Sequence, residues 1–322
     1  IGTNDNSIVS KRSADRVGYF QEEQFLKNVV AKYARRSPLI NVAYFARSLI
    51  MDYFMSWFLE TPMRTANLDI PGWSPSSQPP ATDVVDRRVI VLLGCGFDPA
   101  YFRIKHRADT PPMLFVDVDF PDLVRRKSGL IKSDPELMAL LETANPVFKD
   151  NGDISATDYQ LVGCDLKQVQ NLTEVFQNFG ITKQSEILFV SEVALVYMEP
   201  EDSDGVLQWA ASYPQGQLVM YEQTIPTPAP NAFSSTMLAH FRKMRSPLKV
   251  TERYPTIKGQ RDRLHQQAWS FTSALSLHDF WDRLLPFAEK QRLLTIEPFD
   301  EWEEWHMNGA HYFVIFASMN YP

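Results

Sequence analysis

The chain of 322 residues carries 32 lysines and arginines against 39 acidic residues, which gives a formal net charge of −7. Hydrophobic residues make up 44% of the chain and charged residues 22%, which excludes collagen-like, low-complexity and largely disordered classes. The acidic balance argues against a general nucleic-acid coat, but it leaves room for a basic groove on an acidic surface.

The cysteine and hydropathy patterns predict the cellular compartment of the protein and which partners it lacks. Cys95 and Cys164 form neither a disulfide framework nor a zinc motif, so we expect two reduced thiols in a cytoplasmic protein. No apolar run approaches the roughly 18 residues of a membrane span, and no histidine pair has metal-binding helix spacing, so we expect neither a membrane nor a metal partner. Because the chain begins at Ile1, we expect a trimmed or excised piece.

The first residues predict helices. Apolar residues recur three to four positions apart over residues 13–60, which indicates a helical N-terminal cap over residues 1–62. Residues 63–87 are rich in proline and serine, which is typical of a surface loop.

Residues 88–223 alternate apolar strand patterns with helical patterns. Strands are predicted at residues 89–93, 113–116, 159–162, 187–190, 218–221 and, nearer the C-terminus, 311–316. Helices are predicted between them at residues 122–141, 166–179 and 201–212. The alternation predicts a single α/β domain with a mostly parallel, Rossmann-like sheet. We expect a cofactor-binding core over residues 88–223, a substrate or lid insertion over 224–290, and C-terminal strands over 291–322.

A glycine-containing turn follows the first predicted strand. Gly94 and Gly96 would let the backbone turn tightly and approach a ligand, as in nucleotide-binding turns. The third glycine of a dinucleotide motif is replaced by Pro99, which disfavours a pyrophosphate site.

Acidic residues stand at the ends of four successive predicted strands. They are Asp98, Asp117 with Asp119, Asp165 and Glu192. Because ligands of open α/β sheets bind at the carboxyl ends of the strands, we expect these acids in one crevice. Acids without a phosphate-binding cation suit a ligand with a ribose, an adenine amino group and a cationic centre. S-adenosylmethionine fits that description and NAD fits it poorly.

Several segments resemble the leucine carboxyl methyltransferase family. They span residues 10–13, 41–47, 93–98, 116–121, 191–198 and 221–223. Residues 3–13, 240–248 and 297–306 look most like the branch of that family that synthesises tRNA wybutosine. Members of that branch normally continue into a kelch β-propeller. Because this chain stops at Pro322, we expect it to be the methyltransferase part alone.

The resemblance implies a class I fold with a seven-stranded sheet and S-adenosylmethionine as cofactor. It implies methyl transfer to a carboxylate of the wybutosine precursor, the modified guanosine next to the anticodon of tRNA-Phe, and a second reaction that methoxycarbonylates the precursor. The alternative is methylation of the C-terminal leucine of a type 2A phosphatase catalytic subunit. We expect a monomer.

The resemblance also implies roles for individual residues. Arg47 would clamp a carboxylate of the cofactor or the substrate, because its planar fork pairs bidentately with one. The expected cofactor-binding residues are Lys11, Arg47, Gly94, Gly96, Asp119 or Asp117 at the ribose, Asp165 with Leu166 at the adenine, and Glu192. The expected catalytic residues are Arg47, Glu192 and Tyr197.

One stretch of the acidic chain is basic. Residues 241–263 hold eight cations and two acids, which predicts a positive wall for an RNA backbone. Aromatic residues in and around it could stack on a modified base. The expected substrate-binding residues are Arg12, Tyr221, Arg242, Arg245 and Arg253.

Overall fold

The computed structural model describes residues 2–59, 88–108, 110–226, 231–298 and 300–320. The proline- and serine-rich loop predicted at residues 63–87 lies outside this part of the chain. None of the helices in these ranges is long and apolar enough to cross a membrane.

Nine strands in the described ranges form one mixed sheet. They are β1 (Arg88–Leu93), β2 (Met113–Asp119), β3 (Val147–Phe148), β4 (Ile154–Ser155), β5 (Tyr159–Gly163), β6 (Ile187–Glu192), β7 (Gly216–Gln223), β8 (Phe271–Ser276) and β9 (Tyr312–Ser318). Their spatial order is β3-β4-β5-β2-β1-β6-β7-β9-β8. The five central strands from β5 to β7 are parallel, and β9 runs antiparallel between β7 and β8.

Helices cover both faces of the sheet. They are α1 (Gly2–Val17), α2 (Leu26–Val29), α3 (Pro38–Phe58), α4 (Ala100–Lys105), α5 (Pro121–Ser133), α6 (Pro135–Glu142), α7 (Val169–Asn178), α8 (Pro200–Ala211), α9 (Ala232–Lys243), α10 (Lys249–Arg253), α11 (Ile257–Gln266), α12 (Leu277–Asp279), α13 (Phe287–Ile296) and α14 (Trp302–Ala310). Alternate residues of β1 enter two separate cores: Ile90 and Leu92 pack with α3, whereas Val89 and Val91 pack with α8. Burial on both faces explains the continuous apolar run of this strand.

The N-terminal cap divides into separate helices rather than one. Gly18, with φ +100°, ends α1, and the amide of Tyr19 closes the turn on the carbonyl of Ala14 at 3.1 Å. Pro38 then begins α3 at a position where a missing N–H is harmless. The helix α3 is buried almost all round, which places it between the sheet and α1.

Two predictions of the sequence pattern require correction. The helix predicted over residues 122–141 is broken, because the Asp134 side chain caps α6 by accepting bonds from the amides of Glu136 and Leu137. The insertion predicted over residues 224–290 includes β8, which pairs with β9 in the sheet. β8 is a half-exposed edge strand, so it lacks the apolar run that marks the buried strands.

Candidate active site

A cavity of about 990 Å³ opens at the carboxyl ends of β1, β2, β5 and β6. The order in which strands are added reverses at β1, because the chain runs from β1 to β2 on one side and later continues at β6 on the other side. A crevice forms at such a switch point because the connections leave in opposite directions. The middle parts of α1 and α3 border one side of the cavity, and the segment from His240 to Lys249 borders another.

The turn after β1 forms one wall of the cavity. Gly94 has φ +78° and Gly96 has φ +55°, conformations that favour glycine. The amides of Gly94 and Cys95 both donate to the carbonyl of Val118 on β2, at 2.9 and 3.1 Å. These bonds hold the turn against the neighbouring strand. The backbone at Gly94 therefore lies at the wall of the cavity.

Replacing Gly94 by alanine tests whether the turn has room for a Cβ atom at this position. The new Cβ would lie 2.6 Å from the Cβ of Ala194, and the positive φ would add strain. We expect the free energy of unfolding to fall by about 2–4 kcal/mol in a denaturant titration. Gly180→Ala is the matched control, because Gly180 has φ +71° but open space at its Cβ. An equal loss in both variants would contradict the close contact.

The carboxylate of Asp119 stands at the end of β2 and lines the cavity. It accepts hydrogen bonds from the amides of Gly96 at 2.8 Å and Phe120 at 2.7 Å. Burial raises the pKa of this carboxyl group, and the two amide bonds oppose that rise. Asp165 and Leu166 line the cavity at the end of β5, where sequence reasoning expected them.

Asp117 does not line the cavity, contrary to its expected place beside a ribose. Its carboxylate lies inside the sheet and accepts bonds from Lys127 Nζ and the Tyr159 hydroxyl, each at 2.7 Å. Both ionic side chains are almost fully buried. Asp117 and Asp119 point to the same face of β2. Asp117 lies two residues before the end of the strand, where Lys127 of α5 covers it, so its carboxylate does not reach the crevice.

A chain of alternating charges crosses the cavity. Lys11 Nζ lies 2.6 Å from Asp98 Oδ2 and 2.7 Å from Glu192 Oε1, and Arg47 donates to the same Glu192 oxygen. On the far side, Arg103 joins Asp98 to Asp52, both at 2.8 Å. Thus α1, α3, the glycine turn and β6 are held together by ions that also line the site.

The opposite charges in this series stabilise one another in their ionised forms. Burial alone would raise the pKa of Asp98, but Arg103 and Lys11 hold it well below its usual range. Burial would lower the pKa of Arg47, and the negative charge of Glu192 raises it instead. Both groups therefore keep their charges at neutral pH.

The Arg47 guanidinium lies between two aromatic rings. It is 5.4 Å from the centroid of Tyr44 and 5.5 Å from that of Tyr221, distances typical of cation–π contact. Tyr221 is buried and stacks on Tyr312 at 5.6 Å. Tyr221, expected at the substrate, therefore does not line the cavity; it packs against the arginine.

The residue after Glu192 has an unusual backbone. Val193 has φ 54°, which is costly for a β-branched side chain, by about 1–3 kcal/mol. Its amide donates to the Tyr221 carbonyl at 2.8 Å, which holds the bend. The bend places Val193, Ala194 and Tyr197 along the cavity after Glu192. Burial raises the pKa of the Tyr197 hydroxyl, so it stays protonated at neutral pH.

The predicted substrate cations are only partly at the cavity. Arg245 lines it, whereas Arg12, Arg242 and Arg253 do not. Arg12 instead donates to the carbonyls of Lys27 and Val30.

Four of the eight cations in the basic stretch at residues 241–263 form ion pairs with carboxylates. Arg263 is fully buried, 2.6 Å from Asp204 Oδ1. Three further cations pair with carboxylates: Arg242 with Glu252, Lys249 with Glu199, and Lys258 with Asp262. The stretch therefore presents less unpaired positive charge than the count of its cations predicts.

Sequence reasoning did not assign site roles to several lining residues. Asp98 is predicted at a strand end, but its partner Arg103 lies five residues further on, in α4, and the contact between them depends on the fold. Tyr44 is three residues before Arg47, so helical spacing could have placed both on one face of α3. Gln223 and Tyr312 meet at the cavity through the β7–β9 pairing.

The strand order and the cavity define the Rossmann-like fold of the methyltransferase class. Residues 82–211 match the family model described as leucine carboxyl methyltransferase. The chain is 37% identical over 320 residues to the human protein called tRNA wybutosine-synthesizing protein 4, covering 98% of this chain. It is 34% identical over 328 residues to the Gibberella zeae protein of the same name, covering 99% of this chain. The match to the leucine carboxyl methyltransferase family is thus carried by residues 82–211, and the two relatives extend the similarity over nearly the whole chain.

The chain is shorter than these relatives. It spans 43% of the human protein and 30% of the Gibberella zeae protein. Among solved structures, a geranyl diphosphate methyltransferase aligns with a TM-score of 0.46 and 10% identity over 88% of this chain and 81% of that chain. That likeness is too distant to bear on function, and the similarity to the family rests on the sequence matches.

Proposed function

We propose that this chain is an S-adenosylmethionine-dependent carboxyl methyltransferase of wybutosine biosynthesis. Its substrate would be the modified guanosine next to the anticodon of tRNA-Phe. The observation that carries the proposal is the Arg47–Glu192–Lys11 cluster beside the glycine turn, in a cavity at the switch point. The relatives named for tRNA wybutosine synthesis, matched over nearly the whole chain, support the choice of substrate.

The side chains around the cavity fit S-adenosylmethionine. The volume of about 990 Å³ leaves room for a cofactor and part of a substrate. Asp119 has a carboxylate oriented by two amides for a ribose hydroxyl, and Asp165 with Leu166 would hold the adenine. Asp98 and Glu192 carry negative charge toward the amino-acid end, where Lys11 and Arg47 carry positive charge for a carboxylate.

The chemistry needs orientation more than it needs a base. A substrate carboxylate has a pKa near 4 and is already ionised at neutral pH. The bound cofactor supplies an electrophilic methyl group on its sulfonium. Arg47 would bind a carboxylate through its fork, and the rings of Tyr44 and Tyr221 hold the guanidinium in place. Fixing that oxygen in line and excluding water account for the rate enhancement.

The mouth of the cavity is suited to an RNA base. His240 and Phe241 present rings there, and Arg245 presents a cation. Rings stack on unpaired bases, and cations bind phosphates. We further propose a monomer. Buried free thiols at Cys95 and Cys164 support a cytoplasmic location.

Methyl transfer from labelled cofactor tests this function. We expect label in tRNA-Phe that carries the wybutosine precursor, and none in a type 2A phosphatase catalytic subunit. Mass spectrometry of the nucleoside would separate a methyl ester from a methoxycarbonyl product. Transfer to the phosphatase alone would overturn the proposal.

Arg245→Ala tests the RNA-facing mouth. We expect the KM for tRNA to rise at least about threefold and its salt dependence to weaken, because one phosphate contact is lost. Lys258→Ala is the control, since Lys258 is exposed, outside the cavity and paired with Asp262. Equal KM values for the two variants would contradict a role for Arg245.

A further inference from the structure

Three potential metal ligands meet at the junction of α12 and α14, away from the cavity. His278 Nδ1 lies 3.2 Å from Asp282 Oδ2, one helical turn further on. The ring of His306 stacks on that of His278, with centroids 4.7 Å apart and planes at 22°. One donor atom from each residue lies within 4.8 Å of the others. Two imidazoles and a carboxylate are a donor set for divalent transition metals.

The backbone packing holds the two histidines together. A Cβ at Gly309 would lie 3.0 Å from the amide nitrogen of His278 and 3.2 Å from its Cα, so a larger residue would push α14 away from α12. Gly309 lies three residues after His306, on the same face of α14. The pairing of His278 with His306 therefore follows from a close helix contact.

We propose that His278, Asp282 and His306 bind one divalent transition metal ion, with Zn²⁺ as the preferred ion. Three protein ligands and a water would complete a tetrahedral shell. Ligand atoms around Zn²⁺ are roughly 3.3 Å apart, so the side chains must close by up to about 1.5 Å. Asp282 and His306 are exposed and have room to rotate.

The ion would link two elements that support the active site. Both α12 and α14 pack against β9, whose first residue, Tyr312, lines the cavity and stacks on Tyr221. Metal binding at the junction would thus stabilise this side of the sheet against local opening, because the ion binds the folded arrangement only. This inference does not depend on the proposed methyl transfer.

Calorimetric titration of the untagged, chelator-treated chain with Zn²⁺ tests the site. We expect one ion per chain and a higher Tm in its presence. His306→Ala and Asp282→Asn should each weaken binding at least about tenfold and remove the Tm shift. His240→Ala and Asp300→Asn, which alter exposed residues outside the cluster, should bind as the wild type does.

The choice of ion gives a second readout. Co²⁺ in place of Zn²⁺ should give the visible absorption of a tetrahedral site, and His306→Ala should abolish it. Mg²⁺ should not compete, because it prefers oxygen ligands. Equal Zn²⁺ affinity in the wild type and the ligand variants would overturn the proposal, as would binding only at millimolar metal. Circular dichroism confirms that each variant is folded.

Discussion

Arg47→Ala should lower kcat/KM at least about 100-fold while the protein remains folded, which corresponds to about 2.7 kcal/mol of lost transition-state stabilisation. The guanidinium combines a bond to Glu192 with cation–π contacts to the rings of Tyr44 and Tyr221. Lys11 still pairs with Glu192 after the substitution, so no buried carboxylate is left alone. Steady-state kinetics with labelled cofactor, alongside thermal unfolding, measures both quantities.

Two further variants serve as comparisons for this result. Arg47→Lys keeps the charge but loses the planar fork, so it should recover only part of the activity. Arg283→Ala, which removes an exposed arginine paired with Asp279, should behave as wild type. Full activity in Arg47→Lys would show that charge suffices, and full activity in Arg47→Ala would remove the residue from the mechanism.

Lys127→Met should lower the free energy of unfolding by about 3–5 kcal/mol, because it leaves the Asp117 carboxylate buried without its cation. Burial would lower the pKa of Lys127, but Asp117 raises it, and burial raises the pKa of Asp117 itself. The ammonium also donates to the carbonyl of Asp98 at 2.7 Å. Denaturant titration at neutral pH measures the loss.

The same helix provides the control. Lys132→Met changes an exposed lysine of α5 and should cost well under 1 kcal/mol. Adding Asp117→Asn to Lys127→Met removes the stranded charge and should restore part of the stability. If Lys127→Met were no worse than Lys132→Met, the buried pair would not support the core as described.

The sequence was sufficient for the central strands and for most of the cavity. Strands covered on both faces are mostly apolar, so the run in β1 and the similar runs in β2, β5, β6 and β7 are visible without a structure. Because parallel strands end at one edge, Asp119, Asp165 and Glu192 could be grouped by topology alone. The structure brings all three to the cavity.

Other features depend on contacts that form only in the folded chain and that the sequence does not show. Asp117 and Asp119 look equivalent in the sequence. The residue at which β2 ends determines which of the two side chains reaches the crevice. The basic stretch looks like a positive surface until the positions of its carboxylate partners are known, as with Asp204 beside Arg263. His278 and His306 are 28 residues apart in sequence and meet only through the packing of α14 on α12.

Binding of S-adenosylmethionine, measured by calorimetric titration, tests the central claim most directly. We predict one molecule per chain, with affinity at least about tenfold weaker in Asp119→Ala and unchanged in Asp300→Asn, which lies outside the cavity. The loss follows from the carboxylate that two amides orient at the end of β2. No binding to the wild-type chain, or equal binding to Asp119→Ala, would contradict a cofactor site at this edge of the sheet.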